Sequence, residues 1–490
     1  VLRELKRLSK QTIIYGVGVI LSRAIGFFLI PMYTHFLSPK DYGVLELVDL
    51  TGYILSYVLS MGIDQALIRF YHLYQDPRDK SSVLSTAVWF TVIWGGILVG
   101  ALVPLAPFLS TLLFGTHEYS TILMVALASL FMGSVTGLQR AILRAQQRSV
   151  MFTAVALANT GISILLNILF VAVLHVGVLG IVYSGLISAT LIGIYLWTRI
   201  SPDLKAGPDR TKLRPMLRYG IPFVPGGIFA FVLNWSDRFF LRLYSSIAAV
   251  GLYGLGYKFG MIVVMLVSVP FTFVWGAYMF EIQSLPTARR TYARVATYFM
   301  LGLCAVGLVI SVFGRELIVV MADKAYWGAE RVIPVVVLGM ILMCSDNVFQ
   351  VGLLLEGKSA YLSVAKGIAA AVNLALNLLL IPRFQTMGAA WATAIAFGVY
   401  AASIYYAAQR AYPIEYERVR LIKLGVCALA VFALASFVPT EPLRAAILKK
   451  SLILTLFPIS LLVLRFPTSG ESAYLTRAIR QRLTRPRPSG

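Results

Sequence analysis

Residues 292–313 read Tyr292-Ala293-Arg294-Val295-Ala296-Thr297-Tyr298-Phe299-Met300-Leu301-Gly302-Leu303-Cys304-Ala305-Val306-Gly307-Leu308-Val309-Ile310-Ser311-Val312-Phe313, and after Arg294 no charge occurs until Arg315. As a helix rising about 1.5 Å per residue, such a run covers the roughly 30 Å of a bilayer's hydrocarbon core. A barrel strand would instead alternate over about ten residues. A helix also satisfies its backbone polar groups internally, as hydrocarbon requires. Reading outward from this run gives about fourteen spans, near 11–36, 42–68, 83–106, 120–143, 150–173, 177–199, 216–240, 248–275, 292–313, 332–354, 360–381, 387–409, 419–438 and 447–465. The expected fold class is an all-α polytopic membrane protein.

The composition agrees. Of 490 residues, 59% are hydrophobic and 13% charged, with a mean hydropathy of +0.80. This excludes a disordered chain. Three cysteines, each inside an apolar run (Cys304, Cys344, Cys427), exclude a disulfide-stapled secreted domain. The net charge of +22 would suggest nucleic acid in a soluble protein. Here the cations sit in alternate connections: Arg69, Arg78 and Lys80; Arg140, Arg144 and Arg148; then Arg199, Lys205, Arg210, Lys212, Arg214 and Arg218. The third and fifth connections carry no Lys or Arg. With basic residues before span 1 and in the tail, both termini are expected to be cytoplasmic and no nucleic-acid partner is expected. The first span is too long for a cleavable signal peptide and lacks a small-residue cleavage site.

The chain also repeats itself. Arg148-Ser149 before an apolar run holding Asn159 and Asn167 corresponds, about 210 residues on, to Lys358-Ser359 before a run holding Asn373 and Asn377. Tyr15-Gly16 and Tyr219-Gly220 open spans 1 and 7. Each unit holds an even number of spans, so the two units face the same way, as in transporters with a site between lobes near the midplane. The expected organisation is an N-terminal six-helix lobe at 1–199, a cytoplasmic linker at 200–214 and a C-terminal six-helix lobe at 215–410. Two extra transmembrane helices follow at 411–466, then a basic cytoplasmic tail at 467–490.

Charge inside a membrane helix needs a reason. Arg23 sits mid-span in span 1, either as a cation of a central cavity or as the partner of an acid from span 2. Span 2 carries Glu46, Asp49, Tyr53, Tyr57, Ser60 and Asp64 at spacings that place them on one helical face. Span 7 carries Asn234, Asp237, Arg238 and Arg242; span 8 carries Tyr253, Tyr257 and Lys258; span 10 carries Asp346, Asn347 and Gln350; span 11 carries Lys366, Asn373 and Asn377. The asparagine pairs of span 5 (Asn159, Asn167) and span 11 (Asn373, Asn377) are read first as interhelical hydrogen-bond glue. No Walker A sequence, nucleophile elbow or metal-ligand spacing occurs, and His35, His72, His117 and His175 are scattered. The expectation is a transporter with no cofactor and no metal.

Two stretches carry a resemblance. Pro31-Met32-Tyr33-Thr34-His35-Phe36-Leu37-Ser38-Pro39-Lys40-Asp41-Tyr42-Gly43-Val44 resembles the span 1–2 signature of Wzx-type polysaccharide flippases, and Gly62-Ile63-Asp64-Gln65-Ala66-Leu67-Ile68-Arg69-Phe70-Tyr71 resembles the end of span 2 there. Ser22-Arg23-Ala24-Ile25-Gly26-Phe27 is similar to a stretch of the related lipid II flippases in which the arginine is needed; their second arginine, six residues on, is Leu29 here. The resemblance implies a flippase moving an undecaprenyl-diphosphate-linked oligosaccharide from the cytoplasmic to the outer leaflet of a bacterial or archaeal cytoplasmic membrane. Its partners would be that lipid-linked oligosaccharide, membrane lipids and other glycan-assembly proteins. With it, Arg23, Arg238, Lys258 and Lys366 become candidates for the diphosphate, and Tyr53, Tyr57, Tyr253 and Tyr257 for the sugar. Asp49, Asp64 and Asp237 become candidate ion carriers, since an ion gradient or membrane potential would drive the movement. Alternatives are lipid II flipping, MATE-type export and, in a different class, a glycan polymerase or ligase.

Overall fold

The computed structural model describes residues 27, 29–439 and 441–467. Among them all regular structure is helical. Arg23 and most of the expected first span lie outside the described residues; the end of that span is seen as the helix Ile30–Phe36.

The turn that carries the family resemblance has a local physical cause. Ser38 Oγ accepts the Asp41 N–H at 3.2 Å, while Asp41 Oδ2 accepts the Ser38 N–H at 3.1 Å. With Pro39 at the first helical position, this reciprocal cap starts the helix Pro39–Ser60. That helix stops earlier than expected. Met61 and Gly62 are both left-handed, with φ of 44° and 70°, and a separate helix Ile63–Leu73 follows. Asp64 is therefore off the continuous helix, and the polar stripe of span 2 runs from Glu46 to Ser60.

Twelve helices among the described residues are long and apolar enough to cross a membrane. One of them, Ala360–Ala411, has 52 residues and would be about 78 Å long if straight, far more than one crossing needs. It reverses at Gln385, where φ is 48° and ψ is −124°. Asn373 Nδ2 then meets Thr393 Oγ1 at 3.4 Å, which a straight helix would hold some 30 Å apart. The two arms match the expected spans at 360–381 and 387–409. Counting them separately gives thirteen helical segments among the described residues that are long and apolar enough to cross a membrane.

Connections expected on one side do meet. Arg148 Nη2 lies 3.1 Å from Asp203 Oδ2, Gln146 donates to the same oxygen at 3.0 Å, and Lys212 Nζ lies 2.6 Å from Asp79 Oδ1. At the opposite end Tyr326 donates to the Leu37 carbonyl at 2.9 Å. The first and second halves of the chain touch through missing side chains. A Cβ on Gly43 would strike the Ile247 carbonyl, and one on Gly251 the Pro39 carbonyl, so Pro39–Ser60 and Ile247–Val263 pack backbone to backbone. Toward the other end, Gly62 and Gly220 meet in the same way.

The last two helices, Arg418–Ser436 and Leu443–Val463, share an apolar cluster with Ala288–Val312 that includes Leu308, Val312, Leu424, Val431, Phe457 and Leu461. They are also pinned by charge. Buried Lys450 lies 2.6 Å from buried Glu316 and donates to the Val312 carbonyl at 3.0 Å.

Candidate functional site

The expected span 7 is built of successive helices, Phe223–Trp235 and Asp237–Tyr244, after the amphipathic Arg210–Gly220. Asp237 and Arg238 are buried: each side chain is 1% exposed. Arg238 Nη1 donates to Asp237 Oδ1 at 2.7 Å and to the Asn234 carbonyl at 3.0 Å. Its guanidinium lies over Tyr257 at 4.1 Å, Trp235 at 4.8 Å and Tyr253 at 4.9 Å. Asp237 Oδ2 accepts Tyr253 Oη at 2.6 Å and Thr393 Oγ1 at 3.1 Å. A charge this deep persists when it is paired, hydrogen-bonded and covered by ring faces. The cage therefore spends Asp237, Arg238 and Tyr253 on one another. Ser236 ties it to the next pair, donating to Asn373 Oδ1 at 3.1 Å, and Asn377 donates to the same oxygen at 2.9 Å. The asparagines act there as glue, as expected.

Lys258 is different. Its Nζ lies 3.2 Å from Glu46 Oε1 and donates to Tyr42 Oη at 2.7 Å, joining the second half of the chain to the first. Yet its side chain is 42% exposed, against 10% for Glu46. It opens on a cavity of about 380 Å³ lined also by Phe27, Ile30, Tyr33 and Met261. Asp49, one turn beyond Glu46, is exposed and makes no hydrogen bond or ion pair among the described residues.

A further turn along, Tyr53 is 47% exposed and accepts a hydrogen bond from Tyr57 Oη at 3.1 Å. Its ring lies 6.1 Å from Phe231, stacked, and 6.3 Å from Trp235, and Trp235 lies 5.5 Å from Tyr257. These rings from both halves form one aromatic wall beside the Glu46–Asp49 face.

Lys366 does not join this group. It lines a separate cavity of about 280 Å³ with Asp346, Asn347, Asn234 and Tyr400. Tyr400 donates to Asp346 there at 3.3 Å. Asp64 is remote as well, hydrogen-bonded by Gln65 at 3.5 Å on the short helix. Arg23 lies outside the described residues. Sequence reasoning saw Glu46 in the stripe but did not single it out, and it missed Tyr42, Trp235 and Phe231. The signal for Glu46 was its place one turn before Asp49; nothing local announces that Tyr42 and Glu46 share Lys258, some 210 residues away.

The family model described as "Polysaccharide biosynthesis protein" matches residues 8–283, more than half of the chain. No curated protein sequence matches it. Among solved structures, the chain is similar to "Lipid II flippase MurJ, inward closed conformation" at 14% identity and a TM-score of 0.74, covering 91% of this chain and 98% of that one. An inward-facing multidrug resistance MATE family transporter of the MOP superfamily gives 15% identity and a TM-score of 0.65 over 80% and 94% of the two chains. A MOP superfamily transporter from Pyrococcus furiosus gives 16% and 0.56 over 85% and 97%. At these identities the likeness is one of fold, and the fold is that of membrane transporters and flippases.

Proposed function

The chain belongs to the polysaccharide biosynthesis protein family, and from that premise we propose that it is a flippase moving an undecaprenyl-diphosphate-linked oligosaccharide from the cytoplasmic to the outer leaflet. The membrane would be the cytoplasmic membrane of a bacterium or archaeon, with both termini inside. Two lobes, 1–199 and 215–410 joined by 200–214, would rock to alternate access, driven by an ion gradient or the membrane potential.

The observation that carries this reading is the partly exposed ammonium of Lys258 at the contact of the two halves, two to three helical turns from an aromatic wall whose exposed ring is Tyr53. A diphosphate carries negative charge and a sugar many hydroxyls, and neither crosses hydrocarbon unaided. An open cation suits the first, and rings with a hydroxyl edge, Tyr53 and Tyr57, suit the second. Arg23 is the proposed second cation. The prenyl tail stays in lipid or along apolar protein; a groove of about 660 Å³ lined by Leu308, Leu338, Leu424 and Phe432 is of that character. Asp237 and Arg238 position the helix and its rings, Lys366 serves its own cavity, and Asp49 is the candidate ion carrier that lies open beside Lys258.

The test is complementation of a strain lacking its own O-antigen flippase, at matched membrane levels. Wild type should restore surface glycan, Lys258→Ala and Arg23→Ala should not, and Lys258→Arg should retain part of the activity. Rescue of a lipid II flippase-deficient strain, without rescue of any O-antigen strain, would overturn the substrate assigned here.

A further inference from the structure

The cavity of about 280 Å³ among the C-terminal helices is not used by the Lys258 site. It lies where two helices depart from regular α geometry. The helix Ile333–Cys344 breaks at Ser345, the turn Asp346–Phe349 ends at Gln350, and Val264–Ser268 is a π segment ending at a lining residue. Interrupted helices of this kind recur at functional sites. Here Asn347 holds the break: its Nδ2 donates to the Cys344 carbonyl at 2.8 Å and to Ser268 Oγ at 3.3 Å, while its own carbonyl accepts Trp275 Nε1 at 3.0 Å.

The lining leaves hydrogen-bonding capacity open. Lys366 is partly buried and makes no hydrogen bond or ion pair among the described residues. Asn234 and Asn347 donate to the Ala230 and Cys344 carbonyls, and each Oδ1 has no partner there. Asp346 accepts Tyr400 Oη at 3.3 Å, long for such a bond. An ammonium without a partner inside a membrane-spanning bundle is costly and points to a function.

The charges that line this cavity are one of each sign. Asp346 and Lys366 feel one another through space without forming an ion pair. Arg238, beyond the Asn234 carbonyl, is already neutralised by Asp237. A cation entering here faces Lys366 and an anion faces Asp346, where water screens little. An uncharged polyol meets neither repulsion, because a hydroxyl donates to a carboxylate and accepts from an ammonium. Leu233, Met343 and Phe397 supply an apolar side for C–H groups. The volume is near the lower end of ligand pockets, roughly 300 Å³, and suits one ring rather than a chain of them. The cavity also adjoins the aromatic wall: Asn234 precedes Trp235, and its carbonyl accepts Tyr257 Oη at 3.4 Å.

We propose that this cavity holds one uncharged sugar ring of the transported head, with Asp346 and Lys366 binding neighbouring hydroxyls, and that it selects against charged sugars at that position. This rests on the flippase reading above.

The experiment is saturation-transfer NMR on the full-length protein in nanodiscs. The probes are the methyl glycosides of glucose, galactose and mannose, each beside its uronate and its protonated amino sugar. Wild type should saturate the ring protons of a neutral glycoside and bind its charged counterparts about tenfold more weakly. Asp346→Asn should weaken the neutral glycoside about tenfold, the loss of one hydrogen bond to a charged group, and raise the uronate to its level or above. Lys366→Met should do the same for the amino sugar, and Lys258→Ala should change none of these. A merely structural role would not exchange the preferences in this reciprocal way, and the wild-type order needs no variant. Neutral and charged glycosides binding alike, the same order in wild type and both variants, or no saturation of any glycoside by folded wild type would overturn the subsite. Flipping by the same protein in vesicles keeps the two claims apart: flipping without selective binding overturns the subsite alone, and no flipping by folded wild type overturns both.

Discussion

Lys450→Met should destabilise the protein far more than a change near the end of the chain suggests. Glu316, 134 residues earlier, is buried with Lys450 at 2.6 Å, and its other carboxylate oxygen has no hydrogen-bond partner among the described residues. Removing the lysine strands a carboxylate in the apolar contact between Ala288–Val312 and the last helices. Breaking a buried pair from one side costs about 3–5 kcal/mol, whereas replacing both members by apolar residues is often close to neutral. With roughly 2.1 cal/mol/K of unfolding entropy per residue, a chain of 490 residues loses about 1 °C per kcal/mol. Lys450→Met should therefore melt about 3–5 °C below wild type in detergent, and Lys450→Met with Glu316→Leu should recover most of that. Neither residue belongs to the site, so the double variant should transport normally. A single variant as stable as wild type, or a double variant worse than the single, would refute the reasoning.

Three other expectations are independent of it. Gly251→Val pushes a side chain into the Pro39 carbonyl and should lower surface-glycan rescue at least tenfold (on the order of 1.4 kcal/mol), while Gly52→Ala, with nothing within 4 Å of the added Cβ, should be neutral in the same assay. Tyr53→Ala removes an exposed ring and should leave melting within about 1 °C of wild type, yet slow transport roughly three- to tenfold, with Tyr53→Trp retaining most of the rate. The Asp209 carboxylate caps the helix Arg210–Gly220, and the hydroxyl and backbone N–H of Thr211 hold it below the ordinary carboxylate range. Its folded pKa is lowered, so the cap is in force above the ordinary range and is lost as pH falls through the lowered value. Asp209→Ala should raise protease cleavage near residues 204–212 at neutral pH, and wild type should show the same cleavage only in acid.

Much of this architecture was legible because hydrocarbon leaves the chain few choices. Uncharged runs of bilayer length gave the spans, and Lys and Arg in alternate connections gave the pairing of ends that Asp203, Arg148, Asp79 and Lys212 realise. Local signals also worked: Ser38, Pro39 and Asp41 start the second span's helix where the motif suggested a turn. Breaks were harder to see. Met61 is apolar and sits in an apolar stretch, and its left-handed backbone lies beside the close approach of Gly62 to Gly220, a tertiary contact. That break is why Asp64 reads as part of a stripe it does not share. Functional roles were hardest, because adjacency in sequence does not show who neutralises whom. Asp237-Arg238 reads as a pair of loose charges and is a closed cage, whereas Lys258, with no acid beside it in sequence, meets Glu46 across the halves and stays open.

The central claim is tested most directly by reconstituting the full-length protein into vesicles of defined composition with a fluorescent undecaprenyl-diphosphate oligosaccharide, and following its appearance in the opposite leaflet by quenching from outside. The account predicts flipping by wild type, stimulated by an imposed ion gradient or potential, and abolished by Lys258→Ala in protein that still melts cooperatively. Flipping by Lys258→Ala at the wild-type rate, or none by folded wild type under any imposed gradient, would contradict it.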